Sequence, residues 1–153
     1  MGLSQPTRNV GIELLATFRP KHYSVTASYT YVQARKFDNG QRLDVPLTPR
    51  QNVGLVAMWE ARGKGRIGVE IYYTGEQRLE VNPYRDESRP YFILGFLAEK
   101  RFGKVRAFIN AENLSDVRQT KWDPLLLPSR AVDGRWTVDA WAPLEGRVFN
   151  GFE

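Results

Sequence analysis

The sequence predicts an all-β fold: an antiparallel up-and-down meander, part of a transmembrane β-barrel with short periplasmic turns and long outer loops. Three observations carry that expectation. Six segments alternate apolar and polar residues with a period of two. Their connections alternate between short and long, whereas a soluble meander has no reason to gather its long loops at one end. Aromatic residues collect at both ends of the segments.

The first segment, Val10–Phe18, puts Val10, Ile12, Leu14, Ala16 and Phe18 on one face and Gly11, Glu13, Leu15 and Thr17 on the other. The turn RPKH follows, and Tyr23–Tyr31 opposes Tyr23, Val25, Ala27, Tyr29 and Tyr31 to Ser24, Thr26, Ser28 and Thr30. A long polar connection, Arg35–Arg50, leads to Val53–Trp59, where Val53, Leu55, Ala57 and Trp59 share a face. After ARGKGR, the segment Ile67–Tyr73 repeats the pattern with Ile67, Val69, Ile71 and Tyr73. Gln77–Pro90 is the second long connection. Phe92–Ala98 is apolar on both faces; placing Phe92, Leu94, Phe96 and Ala98 outward turns Glu99 inward and lets Lys100 snorkel at the rim. The turn RFGK precedes Val105–Ala111, with Val105, Ala107, Ile109 and Ala111 outward. The third long connection, Asn113–Leu144, ends in a returning strand that begins near Gly146. Within it Asp133–Gly134, flanked by Trp136 and Val138, is the turn of a small hairpin outside the membrane.

The face opposite the apolar one carries Ser, Thr, Gly, Asn, Glu and Arg, as a wet lumen requires. Phe18, Tyr23, Trp59 and Phe102 lie beside the short turns, and Tyr29, Tyr31, Tyr73 and Phe92 beside the long loops. These are two girdles, where amphipathic rings favour the headgroup level. The bulk numbers narrow the alternatives. A chain of 153 residues is long enough for one domain. With no cysteine there is no disulfide framework, thiolate metal site or cysteine nucleophile. The formal charge of +5 is spread over turns and loops, not gathered in a stripe, so no nucleic-acid partner is expected. No apolar run approaches the roughly 18 residues of a membrane helix, and no signal peptide is visible.

The phrase FINAENLSDVRQT, with Asn113–Leu114–Ser115–Asp116 closing a strand, resembles the end of a TonB-dependent receptor barrel, where an NL(x)D element tops the penultimate strand. PLTPRQNVGL at Pro46–Leu55 is similar to that family's proline-rich rim element. The likeness implies an outer-membrane active transporter for a scarce nutrient such as a ferric siderophore, located in the bacterial outer membrane. It also implies the partners: outer-membrane lipid, the remainder of the barrel, a plug domain inside it, and TonB acting through an N-terminal part. Family barrels have about 22 strands. The chain is therefore expected to be a C-terminal barrel fragment over residues 1–153, with about six strands, a partial last strand and no plug.

No covalent chemistry is expected: the protein is not an enzyme, has no catalytic residues, and needs no cofactor or metal site. His22, the only histidine, sits in a tight turn as a surface residue. Glu13, Glu70, Glu99 and Glu112 fall on the lumen face, where they pair with Arg106 and other lumen groups. Gly63–Lys64–Gly65 and Gly103–Lys104 supply positive φ to turns and cradle no phosphate, since no helix follows. Candidate ligand-binding residues are the loop aromatics Tyr84, Trp122, Trp136 and Trp141, suited to a large, partly anionic chelate. The same residues would equally pack the loops into a compact lid. Two other classes stay open. One is a small soluble β-barrel binding module with Val53, Leu55, Ile67, Val69 and Ile71 as its core. The other is a passive porin-like outer-membrane barrel.

Overall fold

The computed structural model describes residues 7–38, 40–80 and 82–152. The chain folds as an all-β, antiparallel up-and-down meander. Its strands are β1 (Thr7–Phe18), β2 (Tyr23–Asp38), β3 (Gln41–Asp44), β4 (Gln51–Ala61), β5 (Gly65–Thr74), β6 (Tyr91–Phe102), β7 (Val105–Glu112), β8 (Leu126–Arg130), β9 (Trp136–Val138) and β10 (Val148–Phe152). The main sheet runs β1-β2-β4-β5-β6-β7-β10, with β3 beside β2. The strands β8 and β9 form a separate hairpin around Gly134, whose φ is +83°. The outer edges of β1 and β10 pair with no other strand among the described residues.

The Arg35–Arg50 connection departs from the expected loop. The strand β2 runs on for 16 residues, and β3 returns along its far half, pairing Arg35 with Asp44 and Asp38 with Gln41. Val45 N–H then donates to Ala34 O and Val32 N–H to Arg50 O, so β3 and β4 follow the same edge of β2. At the other end the turns are tight: β6 and β7 are joined by Gly103 and Lys104 alone, with Gly103 at φ +60°.

Register decides the faces. Residues opposite one another in an antiparallel pair point the same way. Phe18 opposes Val25, Tyr23 opposes Trp59, Trp59 opposes Ile67, Ile67 opposes Ala98, and Ala98 opposes Ile109. At the other end Tyr29 opposes Val53, Val53 opposes Tyr73, and Tyr73 opposes Phe92. One continuous apolar face therefore spans β1 to β7, with Phe92, Leu94, Phe96 and Ala98 on it and Glu99 on the other. Both aromatic rows lie on this face, and the Tyr73 and Phe92 rings meet at 4.7 Å. From Tyr23 to Tyr31 the strand advances about 27 Å.

Among the described residues nothing covers that face. Ile12 is 61% exposed, Val53 40%, Ile67 45% and Val69 43%. The core expected of a soluble barrel is thus a surface here. The buried apolar residues are Ala34, Leu79, Ala111, Val117 and Trp141, and they lie in the long loops or the strand ends next to them.

Candidate functional site

The site is built where β7 ends. Asn113 stands at φ +49° and Asp116 at φ +53°, in the left-handed region that short polar side chains tolerate best. The buried Asn113 amide donates to Val117 O at 2.8 Å and Glu145 O at 3.0 Å, and its oxygen accepts from Val117 N–H at 2.9 Å. Leu114 N–H donates to Leu94 O, and the Arg147 guanidinium donates to Leu114 O. The Asp116 carboxylate accepts from Lys121 at 2.6 Å and Arg118 at 3.2 Å. It lies so close to Gly146 that a Cβ there would collide with Oδ1. The Asn-Leu-Ser-Asp element is therefore a clasp. It turns the chain out of β7 and ties the start of the loop to the stretch that re-enters as β10.

Beyond the clasp, Gln119 organises the loops. It is completely buried, in a short 3-10 turn at Gln119–Lys121. Its side-chain oxygen accepts from Trp141 N–H at 2.7 Å, and its amide donates to Asp139 O. Gln77, from the neighbouring loop, donates to Trp141 O at 2.8 Å, and Asn82 donates to Asp139 at 2.7 Å. Trp122 and Trp141 stack with ring centroids 5.4 Å apart, and Tyr91 tilts against Trp122. Arg85 lies over Trp141 and forms a two-pronged pair with Asp123, both bonds at 2.6 Å. Together these contacts join Gln77–Pro90 and Asn113–Leu144 into one packed cap at the long-loop end.

Of the four candidate ligand residues, the cap brings Trp122 and Trp141 together and separates the other two. Trp141 is 4% exposed and acts as loop core. Its indole N–H, also buried, meets no acceptor among the described residues. Tyr84 is 43% exposed, on the turn where Asn82 Oδ1 accepts from the Tyr84 and Arg85 backbone N–H groups. Trp136 is 53% exposed on β9, with the Arg130 guanidinium 4.2 Å above its ring.

A second concavity escaped the sequence reading. Arg35, Lys36, Arg42 and Arg78 line a cavity of about 560 Å³ with Asp44 and Glu80. Four of its six charges are engaged: Lys36 pairs with Glu80 at 2.8 Å, Asp44 with Arg50 at 2.7 Å and Arg78 with Asp86 at 3.9 Å. The signal was the density of Arg and Lys in the Arg35–Arg50 connection, but its shape arises from the unforeseen β3. Arg50 is held by Asp44 and Glu87, which push its pKa further up.

On the sheet face opposite the apolar one, Glu99 accepts from Arg66 at 3.0 Å and from Arg106 at 3.3 Å. Glu70, Tyr72, Asn110 and Glu112 line a shallow polar-apolar hollow of about 330 Å³ on the same side. His22 sits exposed in the β1–β2 turn, its Nδ1 3.3 Å from Glu60 O. Comparison with known proteins returns no match: no family model, no curated protein and no solved structure is significantly similar to this chain.

Proposed function

We propose that this chain is a wall segment of an outer-membrane active transporter of the TonB-dependent receptor kind, taking up a scarce nutrient such as a ferric siderophore. One observation carries the membrane part of this reading. An unbroken apolar face, bounded by two aromatic rows, is left open by every other described element, while the opposite face carries the Glu99 ion pairs and the Ser, Thr, Asn and Glu residues of the sheet among a few apolar ones. Hydrocarbon is the solvent that such a surface fits, and the nine residues from Tyr23 to Tyr31 meet the strand length a bilayer requires. The open edges of β1 and β10 are where the remaining wall would pair. The receptor part rests on the Asn113–Asp116 clasp and on the packed, aromatic and arginine-rich loops, which suit capture of a large anionic chelate. In this reading the chain does no covalent chemistry. Its loops help to bind, and the plug and TonB, both outside this segment, do the moving.

The absence of cysteine makes the test direct. Asp133→Cys places a thiol at the β8–β9 turn and Lys64→Cys places one at the β4–β5 turn. In intact cells exporting the chain, a membrane-impermeant maleimide should label the first and spare the second. Equal labelling of both, or recovery of the chain in the soluble fraction, refutes the membrane reading. Deleting the gene in its own host should abolish growth on at least one ferric chelate under iron limitation; unchanged uptake of all of them refutes the transporter.

A further inference from the structure

The short-turn end of the sheet differs chemically from the rest of the molecule. The stretches 19–22, 60–66 and 99–106 hold nine Arg or Lys (Arg19, Lys21, Arg62, Lys64, Arg66, Lys100, Arg101, Lys104, Arg106) and two Glu (Glu60, Glu99), a net +7. Since the whole chain carries +5, the remainder carries −2. Glu99 is already shared between Arg66 and Arg106, and the other cations of this end form no ion pair among the described residues.

At this end the apolar face is not flat. A groove of about 620 Å³ crosses β4 to β7, lined by Trp59, Ala61, Ile67, Ala98, Phe102 and Ile109 among others. Register explains its depth: Ala61 opposes Gly65, Gly65 opposes Lys100, and Lys100 opposes Ala107, so three of the four residues in this row are small and only Lys100 reaches across it. Gly65 cannot be otherwise, because a Cβ there would collide with Glu99 O. Lys64 and Lys100 also line the groove, at its turn-side rim. Their strands are fastened where Arg101 N–H donates to Lys64 O at 2.8 Å. Lys100 Nζ stands 5.2 Å from the Phe102 ring, and neither lysine has a carboxylate partner among the described residues.

From the groove, its cationic rim and the charge segregation, we propose that it is a binding site for one anionic diacyl phospholipid. An acyl chain lies over the small residues between Trp59 and Phe102, and the headgroup phosphate sits between Lys64 and Lys100. The proposal rests on the membrane reading above and goes beyond it, since transport needs no particular lipid. Charge complementarity selects the occupant: an apolar trough ending in two ammonium groups that meet no carboxylate among the described residues fits an amphiphile with an anionic head. The basic turns around it raise the local concentration of such lipids.

The test is native mass spectrometry of the chain inserted in nanodiscs of phosphatidylethanolamine with about a quarter phosphatidylglycerol, which gives the bilayer a negative surface, then released stepwise from lipid. One phosphatidylglycerol should be retained in preference to phosphatidylethanolamine. Each lysine near an anionic lipid contributes a factor of about five. The Lys64→Gln/Lys100→Gln variant should therefore lower phosphatidylglycerol retention roughly tenfold to thirtyfold. Ala98→Trp, which fills the groove from an outward position, should lower retention of both lipids. The charge-matched Lys21→Gln/Lys104→Gln variant should retain phosphatidylglycerol as the parent does. Equal loss in that control overturns the proposal in favour of diffuse attraction, and so does absence of lipid preference in an inserted chain. A dimer with its groove shielded overturns it in favour of a second copy. A chain that never enters the bilayer refutes the membrane reading itself, which is a separate and recognisable failure.

Discussion

At the residue scale the cap depends on a few buried polar groups that are satisfied together. Asp123 is nearly enclosed, and its only charge partner among the described residues is Arg85. Both side chains lose water when the cap closes, and the two-pronged geometry with a tryptophan beneath compensates. Removing one partner strands the other. Asp123→Ala is expected to destabilise the cap by about 3 kcal/mol. Hydrogen exchange should then rise at Trp141 and Gln119 while the β4–β5 amides stay protected. Asp116 gives a pH prediction. Its bond to Lys121, and next the charges of Arg118 and Arg147, hold its carboxyl below the ordinary aspartate value of 3.8. A carboxyl depressed on folding contributes its full stabilisation above the unfolded value. That stabilisation is lost as pH falls through the folded value. The clasp should therefore stay closed down to pH 4 and open only below it, followed by exchange of the Val117 amide that Asn113 protects. Asp116→Asn should remove this acid transition, and an unchanged profile in that variant would assign the transition to another carboxylate.

At the element scale, what was legible was whatever a period of two encodes. The faces of Val10–Phe18, Tyr23–Tyr31, Val53–Trp59 and Ile67–Tyr73 follow from alternation, and even the doubly apolar Phe92–Ala98 took its parity from the position of Glu99. The Asp133–Gly134 turn was visible because an αL glycine between two short extended runs has few other uses. The strand β3 was missed, because Gln41–Asp44 has neither alternation nor β-branched residues and exists only by pairing with β2. The cap was missed in detail for a different reason. Its contacts join Gln77 to Trp141 and Gln119 to Trp141, pairings of polar side chains with backbone that leave no local pattern. The sequence named Tyr84, Trp122, Trp136 and Trp141 together and left ligand contact and loop packing equally open; the structure stacks a half-buried Trp122 on a buried Trp141. The strands themselves yield a sharp test. Ala27 lies on the apolar face opposite Leu55, and Thr26 lies on the other, opposite Val56. In a bilayer Ala27→Arg should cost about 2–4 kcal/mol and Thr26→Arg close to nothing. Refolding titrations into lipid vesicles measure both. Equal costs at these neighbours would mean that the two faces meet the same solvent.

At the scale of the whole molecule, the chain has put its packing in the loops and left its sheet undefended. Among the described residues the well-buried apolar side chains belong to the cap or the strand ends beneath it, so the sheet is held by ladder hydrogen bonds and by whatever lies against its apolar face. In water that face is a contiguous apolar patch running from β1 to β7, of the kind a soluble monomer rarely exposes. The 12-residue edge of β1 adds unpaired backbone groups beside Val10, Ile12 and Leu14, all more than half exposed. Two surfaces that are assets in a membrane wall thus become liabilities in solution. The chain is expected to sediment as large aggregates in buffer and as a single species in detergent, read by analytical ultracentrifugation. Changing Val10, Ile12 and Leu14 together to Lys separates the two causes. Three charges along the free edge should suppress edge-to-edge growth in buffer, as lysine does on natural edge strands. The same three charges fall on the face assigned to hydrocarbon, so the variant should lose insertion into vesicles. A parent chain already monodisperse in plain buffer, or a triple-lysine variant that still inserts, would leave the apolar face without its lipid and return the molecule to the soluble β-proteins.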